Sequence, residues 1–271
     1  MAKFQDSAVV VTGSGTGIGY EICRQFAAQG AFVALNDINQ ARATEGATQI
    51  NREVGMTRVT PYCFDVADMI SLQSTIQAHA ADRGRLDIVI ANAGLTNYGP
   101  FLEYKPEAFD RVMAVNLRGS YFTAQYAAQE MIARNTDDGR ILLLSSITGL
   151  RAFKNLGAYG VSKAGIIHMT RTLAFELGKH GITVNAICPG ATLTERTELE
   201  DPDFAANWAN VSPTGSVGDV RDVAAAALFL ASPDAGQITG QNLQVDGGWT
   251  ISSPLPESHP DMPVDTSRSG S

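Results

Sequence analysis

The sequence predicts a single α/β domain: a parallel, doubly wound sheet of about seven strands with helices on both faces. Three observations carry that expectation. Short, continuously apolar runs rich in β-branched residues alternate with longer stretches of helical periodicity. The first run opens into a glycine-rich turn followed by a helix. Polar residues recur just after the runs, where the strand ends of such a sheet face a crevice.

The elements follow in order. Ala8-Val9-Val10-Val11 reads as a buried parallel strand, and Thr12-Gly13-Ser14-Gly15-Thr16-Gly17-Ile18-Gly19 as the turn into a helix reaching Gln29. Glycines there allow positive φ and close approach of the backbone to a pyrophosphate, and the helix start supplies free N–H groups. Phe32 to Leu35 is a second strand ending at Asn36-Asp37. A carboxylate at that tip accepts hydrogen bonds from an adenosine ribose and repels a 2′-phosphate, which favours NAD over NADP. Asp37 as the cap of the next helix is the competing role.

Helix 41–54, strand 59–64, helix 70–83 and strand 88–91 continue the alternation, with Asp65-Val66 and Asn92-Ala93-Gly94 after the two strands. A helix from Pro106 to about Arg134 is expected to break near Asn116. Strand 140–144, helix 158–177, strand 183–188, helix 220–230 and strand 242–245 complete the fold. The expected domain is 1–251. The proline- and serine-rich stretch 252–271 lacks the apolar residues for a core and is expected to be a flexible tail.

Composition narrows the function. A net charge of −8 argues against a nucleic-acid partner. The start of the chain has no signal-peptide pattern and no apolar run is long enough for a bilayer, so a soluble cytoplasmic protein is expected. Cys23, Cys63 and Cys188 stand singly in apolar runs and read as reduced core residues. The four histidines are scattered, and no metal site is expected.

Tyr159 and Lys163 lie four apart on the helix 158–177 and so share one face. A neighbouring ammonium favours a phenolate, and the pair is expected to lower the Tyr159 pKa toward a working acid–base range. Between Thr194 and Val220, Glu195, Leu199, Phe204 and Trp208 read as a mobile lid, with Trp208 either over a pocket or packed on Phe204. The loop charges Arg151 and Lys154 either meet substrate or are simply solvated.

From about Gln5 to Trp249 these motifs, in this order, resemble the short-chain dehydrogenase/reductase family, whose fold is Rossmann-type. They are Thr12-Gly-x-x-x-Gly17-x-Gly19, Asp65, Asn92-Ala93-Gly94, Asn116, Ser145-Ser146, Tyr159-x-x-x-Lys163, Asn185, Pro189-Gly190 and Val245-Asp246-Gly247-Gly248. The resemblance implies Tyr159 as the proton-transfer residue, Ser146 as the hydroxyl that orients substrate, and Ser145 as structural. It implies that Lys163 assists Tyr159 and holds the nicotinamide ribose, and that Asn116 supports a helix irregularity and a proton relay. Cofactor contacts would come from Gly13, Thr16, Gly17, Ile18, Gly19, Asp37, Asp65, Val66, Asn92, Gly94, Tyr159 and Lys163. Pro189, Gly190, Thr192 and Thr194 would border the nicotinamide. The implied activity is NAD-dependent interconversion of a secondary alcohol and its ketone in a homo-oligomer, tetramer or dimer. The NAD preference and the lack of a basic patch for a carrier protein favour a polyol, sugar or hydroxy-acid substrate. A 3-oxoacyl-type carbonyl reductase and a non-catalytic nucleotide sensor are the alternatives.

Overall fold

The structure, a computed structural model, describes residues 3–252. Beyond Ser252 the expected tail lies outside the described residues.

Seven parallel strands form one sheet: β1 (Ala8–Val11), β2 (Phe32–Asp37), β3 (Val59–Cys63), β4 (Ile88–Ala91), β5 (Arg140–Leu144), β6 (Thr183–Pro189) and, after a short ladder, β9 (Asn242–Val245). Their spatial order is β3-β2-β1-β4-β5-β6-β9. The extra ladder pairs β7 (Thr192–Leu193) with β8 (Gly218–Asp219), and nothing in the apolar periodicity announces it.

The strands are apolar throughout because both faces are covered. Successive side chains point to opposite faces. Val9 and Val11, Ile88 and Ile90, and Leu142 and Leu144 thus join one core cluster. Val10, Val89, Ala91, Ile141 and Leu143 join the other. The first cluster is closed by α1 (Gly17–Ala28), α2 (Gln40–Val54) and α9 (Val220–Ala231). The second is closed by α3 (Met69–Arg83), α5 (Ser120–Ala133) and α6 (Gly157–Leu177). Before α5 lies α4 (Pro106–Val112). The lid stretch holds two short helices, α7 (Glu195–Glu200) and α8 (Phe204–Ala209).

Strand order reverses between β1 and β4, which flank the middle of the sheet. Chains leave such a point toward opposite faces, and the strand ends open a crevice there. The glycine turn after β1 and Asn92 after β4 meet at this place. Asn92 Nδ2 donates to the Thr12 and Gly13 carbonyls at 2.9 and 2.6 Å.

Cys23 and Cys188 are buried as expected, but Cys63 is exposed. It ends β3, the edge strand, where only part of each face is covered.

Candidate active site

The glycine turn is shaped by contacts that admit no side chain. Gly13 and Gly17 have φ near +60°. A Cβ on Gly13 would lie 2.6 Å from Ala93 Cα, and one on Gly19 2.5 Å from Asn92 Nδ2. Helix α1 then starts at Gly17 with Thr16 as its cap residue, without a side-chain capping bond and with no acidic residue in the first turn. Its leading N–H groups and positive dipole end therefore face the crevice with no acid from the helix's own first turn beside them. This is a cradle for an anionic backbone, and it fits a nicotinamide dinucleotide.

At the tip of β2, Asp37 accepts hydrogen bonds from Asn39 N at 2.8 Å and Gly15 N at 3.2 Å. The cap of α2 is Asn39, which accepts from Arg42 N, so the competing role for Asp37 falls away. A carboxylate offers about four acceptor sites, so about two remain beyond the bonds from Asn39 and Gly15, and Asp37 lines the cavity. Arg42 lines the same cavity, a neighbour the sequence reading did not consider. Asp65 is anchored by Arg111 at 2.8 Å and accepts from Ala67 N at 2.9 Å, while Val66 lines the cavity beside it.

The expected helix break at Asn116 is a π-helical segment, Met113–Gly119, running between α4 and α5 without interruption. Wider turns of this type occur chiefly at functional sites. Asn116 is fully buried. Its Oδ1 accepts from Leu95 N at 2.8 Å, and its Nδ2 donates to Leu95 O and to Ser162 Oγ. The asparagine thus ties the loop after β4 to α6. A Cβ on Gly94 would lie 3.4 Å from Lys163 Nζ and 3.5 Å from Asn116 Oδ1, so this backbone runs directly beside both groups.

Ser145 Oγ donates to the Lys163 carbonyl at 2.8 Å and has the structural role expected of it. Ser146 accepts from Thr148 N. The Tyr159 pKa is raised, not lowered. Burial is the main cause, and the Ser146 and Thr96 hydroxyls beside the phenol offset only part of it. The expected help from Lys163 fails for a geometric reason. Its Nζ lies 5.5 Å from the centre of the Tyr159 ring and donates to Leu144 O at 2.7 Å, so the ammonium addresses a carbonyl. Burial in turn lowers the Lys163 pKa to about 8. Arg196, on α7 and lining the same cavity, supplies a smaller pull in the lowering direction. Thr96 and Arg196 were both missed by sequence reasoning. Thr96 stands two positions past Gly94, but a lone threonine in a loop carries no pattern.

Beyond β6, Pro189, Gly190, Thr192 and Thr194 line the same cavity, of about 950 Å³. A Cβ on Gly190 would lie 2.7 Å from Asp246 Cβ. Thr194 caps α7 in a reciprocal box with Thr197, which is its visible role. Trp208 packs on Phe204 at 6.1 Å and lines the cavity as well, so both roles weighed for it coexist. Arg151 meets neither solvent alone nor the cavity: it donates to the Thr250 carbonyl.

One cavity therefore joins the glycine cradle, Asp37, Ser146, Tyr159 and Lys163. A family model described as enoyl-(acyl carrier protein) reductase matches residues 13–250. The chain is a short-chain dehydrogenase/reductase.

Relatives of this oxidoreductase differ in what they act on. It is 36% identical over 253 residues to the galactitol 2-dehydrogenase (L-tagatose-forming) of Cereibacter sphaeroides, covering 92% of this chain and 97% of that one. It is also 36% identical over 245 residues to the 3-oxoacyl-[acyl-carrier-protein] reductase of Chlamydia muridarum, covering 90% and 97%. The solved short-chain dehydrogenase/reductase of Serratia marcescens superposes with a TM-score of 0.85 at 32% identity, covering 92% of this chain and 99% of that one.

Proposed function

We propose that the protein interconverts a secondary alcohol and its ketone with NAD, with Tyr159 transferring the proton. The observation that carries this reading is the meeting of Tyr159, Ser146 and Lys163 with the glycine cradle in one cavity, with Asn116 buried behind it and bonded to Leu95 and Ser162. A bound nicotinamide dinucleotide supplies the hydride acceptor or donor; the protein positions and protonates. Gly13 to Gly19 hold its phosphates, Asp37 its adenosine ribose, and Asp65 and Val66 the adenine side. Asn92 holds the glycine turn in place, and Gly94 lies beside Lys163 at the second ribose. Pro189, Gly190, Thr192 and Thr194 border the nicotinamide end.

In reduction, the Tyr159 phenol gives its proton to the carbonyl oxygen while Ser146 donates a hydrogen bond to the same atom. In oxidation, the phenolate takes the alcohol proton. Lys163 and Asn116 act as the route that restores the tyrosine's proton. Asp37 supports NAD because its charge opposes a 2′-phosphate. Arg42 in the same cavity makes the cofactor comparison worth measuring.

The protein is expected to act as a homo-oligomer in a reducing compartment. The outer face of α6 carries Val161, Ala164 and Phe175, the last 90% exposed, interspersed with the exposed His168, Arg171 and Thr172, a face that a second copy would cover. The three unpaired cysteines suit the compartment.

Cofactor absorbance followed over panels of alcohols, ketones, sugars and hydroxy acids, with NAD(H) and NADP(H) in parallel, tests the reading. Turnover with NAD(H) is expected. Tyr159→Phe is expected to lose roughly 10²–10⁴-fold in rate while still binding NADH. A Tyr159→Phe variant with full activity overturns the assignment.

A further inference from the structure

One part of the cavity that holds Tyr159 is lined by rings. Phe153 precedes α6, Phe204 and Trp208 come from α8, and Trp249 follows β9, so three separate segments converge. Phe153 stacks on Trp249 at 5.3 Å with an interplanar angle of 28°. Trp208 lies 6.0 Å from Trp249 and 6.5 Å from Phe153. All four are only half-buried. Phe153, Phe204 and Trp208 line the cavity, and Leu156 and Leu199 extend the apolar surface. Phe153 and Leu156 lie just ahead of Tyr159 in the chain.

The wall is held rigidly from behind. Asp246 accepts from Gly248 N at 2.9 Å and Thr250 N at 2.8 Å, which fixes the turn carrying Trp249. Arg151 fastens the Phe153 loop to that turn through the Thr250 carbonyl. The exit of the lid is clasped as well, by Thr214 N donating to Gly247 O at 3.2 Å.

The charged Lys154, Glu195, Arg196 and Glu200 share the cavity lining with the rings, and the two carboxylates have neighbours of their own. A Cβ on Gly17 would lie 4.0 Å from Glu195 Oε2, so that side chain leans over the glycine turn. Glu200 is 3.7 Å from Arg196. A site that selects a polyhydroxy chain places hydrogen-bonding groups along it. This wall offers ring faces, which reward a flat or alicyclic hydrocarbon group.

We infer that the substrate of this site carries an aromatic or alicyclic ring beside the carbinol carbon, seated on Phe153, Phe204 and Trp208. This rests on the proposed alcohol–ketone activity and departs from the polyol, sugar or hydroxy-acid preference read from the sequence. A bound NAD would supply the hydride acceptor for the aryl carbinol C–H, the Tyr159 phenolate would take the O–H proton, and reduction would run the reverse.

The test uses the full-length protein with NAD(H), with 1-phenylethanol and acetophenone against galactitol and lactate. Higher kcat/KM for the aryl pair is expected. Trp208→Ala is expected to lower it by roughly tenfold, mainly through KM, and Trp208→Phe to restore most of it. Quenching of tryptophan fluorescence by acetophenone reports binding without turnover, and it is expected to weaken in Trp208→Ala. Turnover of galactitol or lactate in preference to the aryl pair overturns this inference and leaves the oxidoreductase reading intact. Aryl turnover and quenching both indifferent to Trp208→Ala also overturn it. If no compound turns over, Trp208-dependent quenching by acetophenone still supports the ring site, and its absence refutes it.

Discussion

Tyr159 and Lys163 share a helix face as their spacing demands, yet the electrostatic consequence is the opposite of the simple one. Desolvation acts on both groups. It disfavours the phenolate and the ammonium alike, raising one pKa and lowering the other. Tyr159 therefore stays protonated to higher pH than an ordinary phenol. Reduction, which needs that proton, is expected to hold its kcat/KM from neutral pH into the alkaline range. Oxidation needs the phenolate, and its kcat/KM is expected to climb as pH rises from 7 to 10; a flat oxidation profile would contradict the assigned role. Lys163 adds a stability prediction. Its pKa falls from 10.5 in the unfolded chain to about 8 in the fold. Carrying the charge inside thus costs about 3 kcal/mol below pH 8, a cost that disappears as pH rises from 8 to 10.5. Lys163→Met is expected to be inactive but to melt higher than the parent at pH 7, with the gain shrinking by pH 10. A lower melting temperature at pH 7 would show that the Leu144 contact outweighs the desolvation.

Two elements owe their form to single buried polar residues. The π-helical segment keeps Asn116 facing Leu95 on one side and Ser162 on the other, joining the loop after β4 to α6. A regular helix would rotate that side chain out of register, which is why the break was legible as an interruption but its widened turn was not. On the opposite edge, α3 presents His79 to β2, with its Nε2 3.3 Å from the Phe32 carbonyl and the Tyr62 ring 6.5 Å away. Burial lowers the His79 pKa to about 4 from 6.5. The unfolded chain takes up its proton first, so this group's contribution is intact above pH 6.5 and is lost as pH falls toward 4. The loss is about 3 kcal/mol. His79→Gln, which can still donate to Phe32 O, is expected to flatten that part of the stability–pH curve measured by denaturant titration.

Across the molecule, the sheet order places the ends of β1, β2, β4, β5 and β6 along one edge, and the lid from α7 to α8 closes over it. The lid is stitched down by the β7–β8 ladder and by contacts to the turn after β9. The outer face of α6 is left with Val161, Ala164 and Phe175 uncovered. A homo-oligomer should therefore elute from gel filtration at a multiple of the 28.8 kDa chain mass. Phe175→Glu is expected to shift it toward the monomer, and elution of the parent as a monomer would refute the assembly.

The alternation of apolar runs with helical stretches was enough to place seven strands and their covering helices, because a sheet buried on both faces imposes an apolar pattern that local chemistry alone can display. The glycine turn, Asp37, Asn116, Ser146, Tyr159 and Lys163 were likewise readable, since each occupies a strand end or a helix position with a spacing of its own. Other features waited for the assembled chain: Thr96 beside the phenol, Arg196 in the cavity lining, Arg111 on Asp65, the exposed Cys63 and the ring wall of Phe153, Phe204, Trp208 and Trp249. These depend on contacts between segments far apart in sequence, and on how completely water is excluded between them. Charge balance at Tyr159 is set by that exclusion, which no spacing of residues along the chain encodes.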